Sequence, residues 1–233
     1  MPISFEKACK EDNVESVNRA ISQSPKVPIE IRNDKSWSGL MIASAAGSLT
    51  VCNFFVKNNC DLEAKDLFGQ TALFLAGSNG HLETIKFLAE NRAAKEAKTN
   101  EDVTPLHAAA FYGHLQTVQF LVENGAEKEA KTNQGTTPLH IAAQNGHLKI
   151  VKFLVENGAE KDAKQKDDWT PLHFSAQDGH LKTVKFLVEK GAEKEAKTNQ
   201  GTTPLHIAAQ NGHLKTVKFL VENGAEKEAK TNQ

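Results

Sequence analysis

Cysteine is scarce in this 233-residue sequence: Cys9, Cys52 and Cys60 are the only three. Their number is odd and no C-x-x-C spacing joins them, so they read as reduced thiols of a cytoplasmic chain. Long apolar runs are missing too. None approaches the roughly 20 residues that cross a bilayer, and no membrane partner is expected. The amino terminus, MPISFEKACKEDNVESV, becomes charged where the apolar core of a secretion signal would stand. Nor does either sign of charge dominate. The 28 Lys and Arg and 29 Asp and Glu are interleaved, giving a formal net charge of −1, whereas nucleic-acid binders concentrate cations on one face. There is no G-x-S-x-G nucleophile motif and no glycine-rich phosphate loop. No cofactor is therefore expected.

What is present repeats itself. TNQGTTPLHIAAQNGHLK occupies 132–149 and returns unchanged at 198–215, while TPLH occurs at 104, 137, 170 and 203. The period is thus 33. Units fall at 33–65, 66–98, 99–131, 132–164, 165–197 and 198–230, with 32 residues before them, which leaves no room for a separate catalytic domain.

Each unit carries start and stop signals, clearest in 198–230. Thr203 is a helix N-cap and Pro204 suits the first helical position, where its missing N–H costs nothing. Gly212 ends that short helix by taking a conformation a side chain resists. A second helix aligns Leu214, Val217, Leu220 and Val221 on one stripe before Asn223-Gly224 stops it. The first helix is thin because its core is alanine; the second supplies bulk. One such unit cannot enclose its own apolar stripe, so neighbours must stack.

The pattern T-P-L-H-x-A-A-x-x-G-H-L at period 33 resembles the ankyrin repeat family over about 200 residues. The resemblance implies an all-α solenoid of stacked helix-turn-helix units with short β-hairpin loops between them. The first unit departs most, with Ser38-Gly39-Leu40-Met41 for TPLH and Gly47-Ser48-Leu49 for GHL. Residues 5–21 resemble a degenerate helix pair, so 1–32 reads as an amino-terminal cap. No matching cap follows residue 230.

All nine histidines fall in repeat slots: His107, His140, His173 and His206 in TPLH, and His81, His114, His147, His180 and His213 in GHL. The family resemblance gives the TPLH histidine a strut's role, bonding the capping threonine and nearby backbone. Copies in adjacent units lie about 8–10 Å apart, too far to share a metal at bond length. No catalytic or metal residue is expected. The cysteines occupy apolar slots, and the alternating EKEAK arms, extended segments that can pair with their neighbours and discourage edge-to-edge aggregation, read mostly as a solvated face.

A binding site should lie where the units differ. The slot before the cap holds Trp37 and Trp169; the slots before the helix-ending glycine hold Phe111-Tyr112 and Gln177-Asp178; Leu67-Phe68 adds bulk to the second hairpin. In ankyrin proteins partners commonly meet the hairpin tips and the exposed face of the first helix. The expected partner-binding residues are therefore Trp37, Phe68, Phe111, Tyr112, Trp169 and Asp178, on a concave surface that holds another protein. The alternative for each ring is that it lies covered by its neighbouring hairpin. Units four and six offer only Thr, Asn and Gln there and read as spacer. The chain is expected to be a monomeric scaffold without catalysis. Two other readings are a targeting segment of a larger protein and an array stacking through its uncapped carboxyl end.

Overall fold

The computed structural model describes residues 4–22, 33 and 35–227. The expected extent of the amino-terminal cap over 23–32, and the lack of a carboxyl cap after 230, lie outside the described residues. Fourteen helices form among those described, in two compact units covering 1–126 and 127–233.

The first unit holds α1 (Phe5–Lys10), α2 (Val14–Ser22), α3 (Gly39–Ala46), α4 (Leu49–Lys57), α5 (Ala72–Asn79), α6 (Leu82–Glu90), α7 (Pro105–Phe111) and α8 (Leu115–Glu123). The odd-numbered helices pack as one layer and the even-numbered as a second. The second unit repeats this with α9 (Pro138–Gln144), α10 (Leu148–Glu156), α11 (Pro171–Gln177), α12 (Leu181–Glu189), α13 (Pro204–Gln210) and α14 (Leu214–Glu222). Alanines let the first layer close up: Ala108, Ala109, Ala142, Ala143, Ala176 and Ala208 are all buried. Val118, Leu121, Val151, Leu154, Val184, Leu187 and Leu220 form the stripe of the second layer and are fully buried.

Four of the glycines that follow first-layer helices have two duties. Gly47, Gly80, Gly146 and Gly179 all have positive φ, and each also lies under a histidine of the following helix pair. A Cβ on Gly146 would stand 2.5 Å from His180 Nδ1, and one on Gly179 would stand 2.4 Å from His213 Nδ1. The ring is held there by its other nitrogen. Nε2 of His81, His114 and His213 meets the carbonyl of Ala45, Ser78 and Gln177 at 3.0, 3.0 and 2.7 Å. The GHL motif is therefore a clasp between successive pairs.

At the first junction the same clasp is built from other residues. Asp12 takes the glycine slot at φ 54, and Ser48 replaces histidine, donating its hydroxyl to the Lys10 carbonyl at 3.1 Å. The Asp12 carboxylate accepts the N–H groups of Val51 and Thr50 at 2.8 and 3.3 Å, satisfying donors at the start of α4.

The β-hairpin loops expected between helix pairs are not there: the described residues contain no β-strand. Each tip makes a single backbone rung, such as Thr99 N–H to Val103 carbonyl at 3.0 Å or Thr198 N–H to Thr202 carbonyl at 3.0 Å. A turn bond closes each tip, such as Asp102 N–H to the Thr99 carbonyl at 3.0 Å, and other donors turn to side chains. Thr99 Oγ1 accepts from Glu101 N–H at 3.3 Å and Val103 N–H at 3.1 Å. With these N–H groups bonded locally, no second rung forms and no ladder can propagate. Adjacent tips share one backbone bond, Asn100 N–H to Phe68 carbonyl or Asn199 N–H to Asp167 carbonyl, both at 3.0 Å, and the same asparagines add side-chain bonds to the Leu67 carbonyl and to Asp167 Oδ1.

Candidate functional site

In the first unit, Trp37 is half-buried and donates its indole N–H to Asp66 Oδ2 at 3.0 Å, with Lys35 Nζ 5.4 Å from its ring centroid. Asp66 is the hub of the second tip. Its other oxygen accepts the N–H groups of Phe68 and Gln70 at 2.9 and 2.8 Å, which turns the Phe68 ring outward. Phe68 is 66% exposed and its neighbour Leu67 65%. A groove of about 410 Å³ opens beside it, lined by Phe68, Gln70, Phe74, Asn100, Glu101 and Val103 among others.

Phe111 and Tyr112 end α7 with exposures of 48% and 57%. Their rings meet edge to face at 4.9 Å, and Tyr112 stacks on His114 at 6.3 Å, so the pair is held in place without being covered. Phe68, Phe111 and Tyr112 thus remain available in a unit whose other aromatic side chains are buried or half-buried.

In the second unit Trp169 is half-buried against His173 and Phe174, at 5.9 and 5.2 Å between ring centroids. It lines a groove of about 390 Å³ with Asp167, Gln177, Asn199, Gln210 and the Ile207 side chain. Asp178 caps α11 with its carboxylate exposed and is not among the residues lining that groove.

The TPLH histidines are struts. Thr137 N–H and Thr170 N–H donate to Nδ1 of His140 and His173 at 3.2 and 3.0 Å. Nδ1 must then carry the lone pair, and Nε2–H donates to the Trp169 and Thr202 carbonyls of the next tip at 3.1 and 3.2 Å. Both rings are fully buried. Desolvation, outweighing the hydrogen bonds to neighbouring carbonyls, pulls each from 6.5 down to about 4, so both are neutral near pH 7.

Among the described residues no three His, Cys, Asp or Glu side chains come together to hold a metal ion. Burial pushes the Cys9 and Cys52 thiols up to about 12, the reverse of what a nucleophile needs. No helix among the described residues is long and apolar enough to cross a membrane.

The EKEAK arms do more than face solvent: they pair with their neighbours as expected, but through backbone N–H groups, which sequence reasoning did not specify. Their acidic side chains accept backbone N–H groups from the next helix pair: Glu63 from Ala94, Glu129 from Glu160, Asp162 from Glu193 and Glu195 from Glu226, at 2.8–3.1 Å. Lys194 Nζ donates to the Asn223 carbonyl at 2.6 Å, at the end of α14, and Lys95 bonds Asn124 likewise. The signal was the acid that recurs at 63, 96, 129, 162 and 195, a period no solvated face requires.

The family described as ankyrin repeats (3 copies) matches residues 5–99, 40–132, 91–165 and 157–231. Among curated proteins none matches the chain.

Proposed function

Because the chain belongs to the ankyrin repeat family, whose helix-pair architecture serves protein–protein contact without catalysis, we propose that its first unit is the partner-reading part. Phe68, Phe111 and Tyr112 are the anchors, with Trp37 behind them. The observation that carries this reading is the exposure of these three rings, 66%, 48% and 57%, each held by local bonds or stacking. Binding therefore covers apolar surface without first ordering it, which is the favourable case for affinity. Covering one such ring contributes about 1.5–3 kcal/mol, or roughly tenfold to a hundredfold in Kd. Trp169 and Asp178 are a second, smaller contact on the other unit, where the groove beside Trp169 suits polar side chains.

The test is a selection of ligands for the whole chain from a random displayed peptide library, followed by binding to Phe68→Ala and to Phe111→Ala/Tyr112→Ala. Selected ligands should lose at least roughly tenfold in affinity to one or other variant, with the melting transition unmoved. Ligands indifferent to both variants would remove these residues from the site.

A second reading, self-association, has its own observation. Leu214 is 76% exposed, and beside it Ala209, Gly212 and Val217 line an apolar depression. Light scattering over a concentration series separates a monomer from a stacking array, and Leu214→Glu should abolish any growth in size.

A further inference from the structure

The second-layer helices of the second unit share a feature that the first unit lacks. Lys149 and Lys152 in α10, Lys182 and Lys185 in α12, and Lys215 and Lys218 in α14 occupy the same two slots three times over, and all six are exposed. In the first unit those slots hold Thr50 and Asn53, Glu83 and Lys86, and Gln116 and Gln119. The fold therefore does not require lysine at either slot. Lys149, Lys182 and Lys215 also stand in the first turn of their helices, where the helix dipole disfavours a cation. Local stability argues against them, as it does at residues kept for another purpose.

The lysines are also partly ordered. Lys152 Nζ lies 5.6 Å from the Phe186 ring centroid and Lys185 Nζ 5.4 Å from that of Phe219, each reaching onto the next helix. Lys190 Nζ sits 5.5 Å from the same Phe186 ring. Against these cations stand Glu156, Glu189 and Glu222, one to a helix; Glu156 lies 3.7 Å from Lys190 and Glu222 3.8 Å from Lys218. The face thus carries two rows of lysine and one of glutamate, and among the described residues the Lys149, Lys182 and Lys215 row has no ion-pair partner within 4.0 Å.

We propose that this lysine face of α10, α12 and α14 is a second interaction surface, fitted to an acidic protein segment whose carboxylates meet the two lysine rows. It uses none of the aromatic residues above and stands independently of them. A nucleic acid fits less well: all three arginines of the chain, the residues that grip phosphate bidentately, lie before residue 93. The glutamate row would moreover repel a continuous phosphate backbone. A partner protein can answer that row with a cation of its own.

The experiment uses the full chain and a fluorescein-labelled oligopeptide of alternating Glu and Ala, followed by anisotropy at low ionic strength. The slot-swapped variant Lys149→Gln/Lys182→Gln/Lys215→Gln takes the residue found at Gln116, so it should fold as before, which circular dichroism checks. A control with the same loss of charge is Lys57→Gln/Lys86→Gln/Lys98→Gln. The peptide should bind the parent chain, lose about tenfold in affinity to the slot-swapped variant, and keep its affinity for the control. Three results each overturn the proposal: no binding to the parent, equal loss in both variants, or tighter binding of a duplex DNA or phosphatidylserine vesicles than of the peptide.

Discussion

Acid should weaken the second unit through His140 and His173. In the unfolded chain an imidazole titrates near 6.5, whereas in the fold both rings are held at about 4 by burial. The folded pKa is the lower one, so the unfolded state binds more protons between the two values and stability falls as pH falls. The full contribution is present above pH 6.5, is lost progressively down to about pH 4, and changes no further below that. At about 1.4 kcal/mol per pH unit, the interval from 6.5 to about 4 amounts to about 3.5 kcal/mol per ring, or about 7 kcal/mol for the pair. Domains of this size are stable by about 5–15 kcal/mol in total, so the loss is a large fraction of the unit's stability. Urea titrations of the whole chain at pH 7.5, 6, 5 and 4.5, followed by far-ultraviolet circular dichroism, measure it directly. The variant His140→Gln/His173→Gln gives up the struts and is weaker at pH 7.5, yet its stability should fall less on acidification because two titrating groups are gone. Imidazole nitrogen shifts supply an independent reading: in both rings Nδ1 should remain unprotonated until well below pH 6. A stability curve flat from pH 7 to 4.5, or a ring titrating near 6.5 in the folded chain, would refute the reasoning.

Three further outcomes follow from the packing. Gly179→Ala should cost well over the about 1 kcal/mol of a strained positive φ, because its Cβ meets His213, whereas Gly212→Ala, with nothing within 4 Å of the added atom, should cost only about that much; denaturant melts of the two compare them. Asp162→Ala should destabilise the chain by about 0.5–1 kcal/mol by leaving the exposed Glu193 N–H to water, and Asp162→Asn, which keeps an acceptor oxygen, should recover much of that in the same melts. Cys9 and Cys52, buried and raised to about 12, should resist a thiol reagent at pH 8 until urea is added, with the half-buried Cys60 reacting first.

Much of the fold was legible because its instructions are local. Thr-Pro starts, Gly stops and a three-to-four apolar stripe each act within one helix, and α7, α9, α11 and α13 all begin at the expected proline. What stayed hidden is what one unit does to the next. That Gly179 must be small for His213, or that Glu129 feeds the backbone at Glu160, is a statement about residues some thirty positions apart, which periodicity marks but does not explain. The hairpins were misjudged for a related reason: the side chain that opens the tip, Asp66, Thr99, Thr132 or Thr198, bonds the N–H groups a strand would have needed. For the candidate site, residue type singled out the aromatic slots but said nothing of coverage. The Trp37 indole is claimed by Asp66, while Phe111 and Tyr112 steady each other in the open, and both facts depend on backbone direction at the tips and helix ends.

The most direct measurement is a map of amide and side-chain shifts on isotope-labelled chain as a selected peptide ligand is added. Perturbations should gather at Phe68, Phe111, Tyr112 and their neighbours, with the imidazole signals of His140 and His173 unmoved. Shifts centred on those two rings and their capping threonines, with the exposed aromatics silent, would mean that the struts are the site and that the account is wrong.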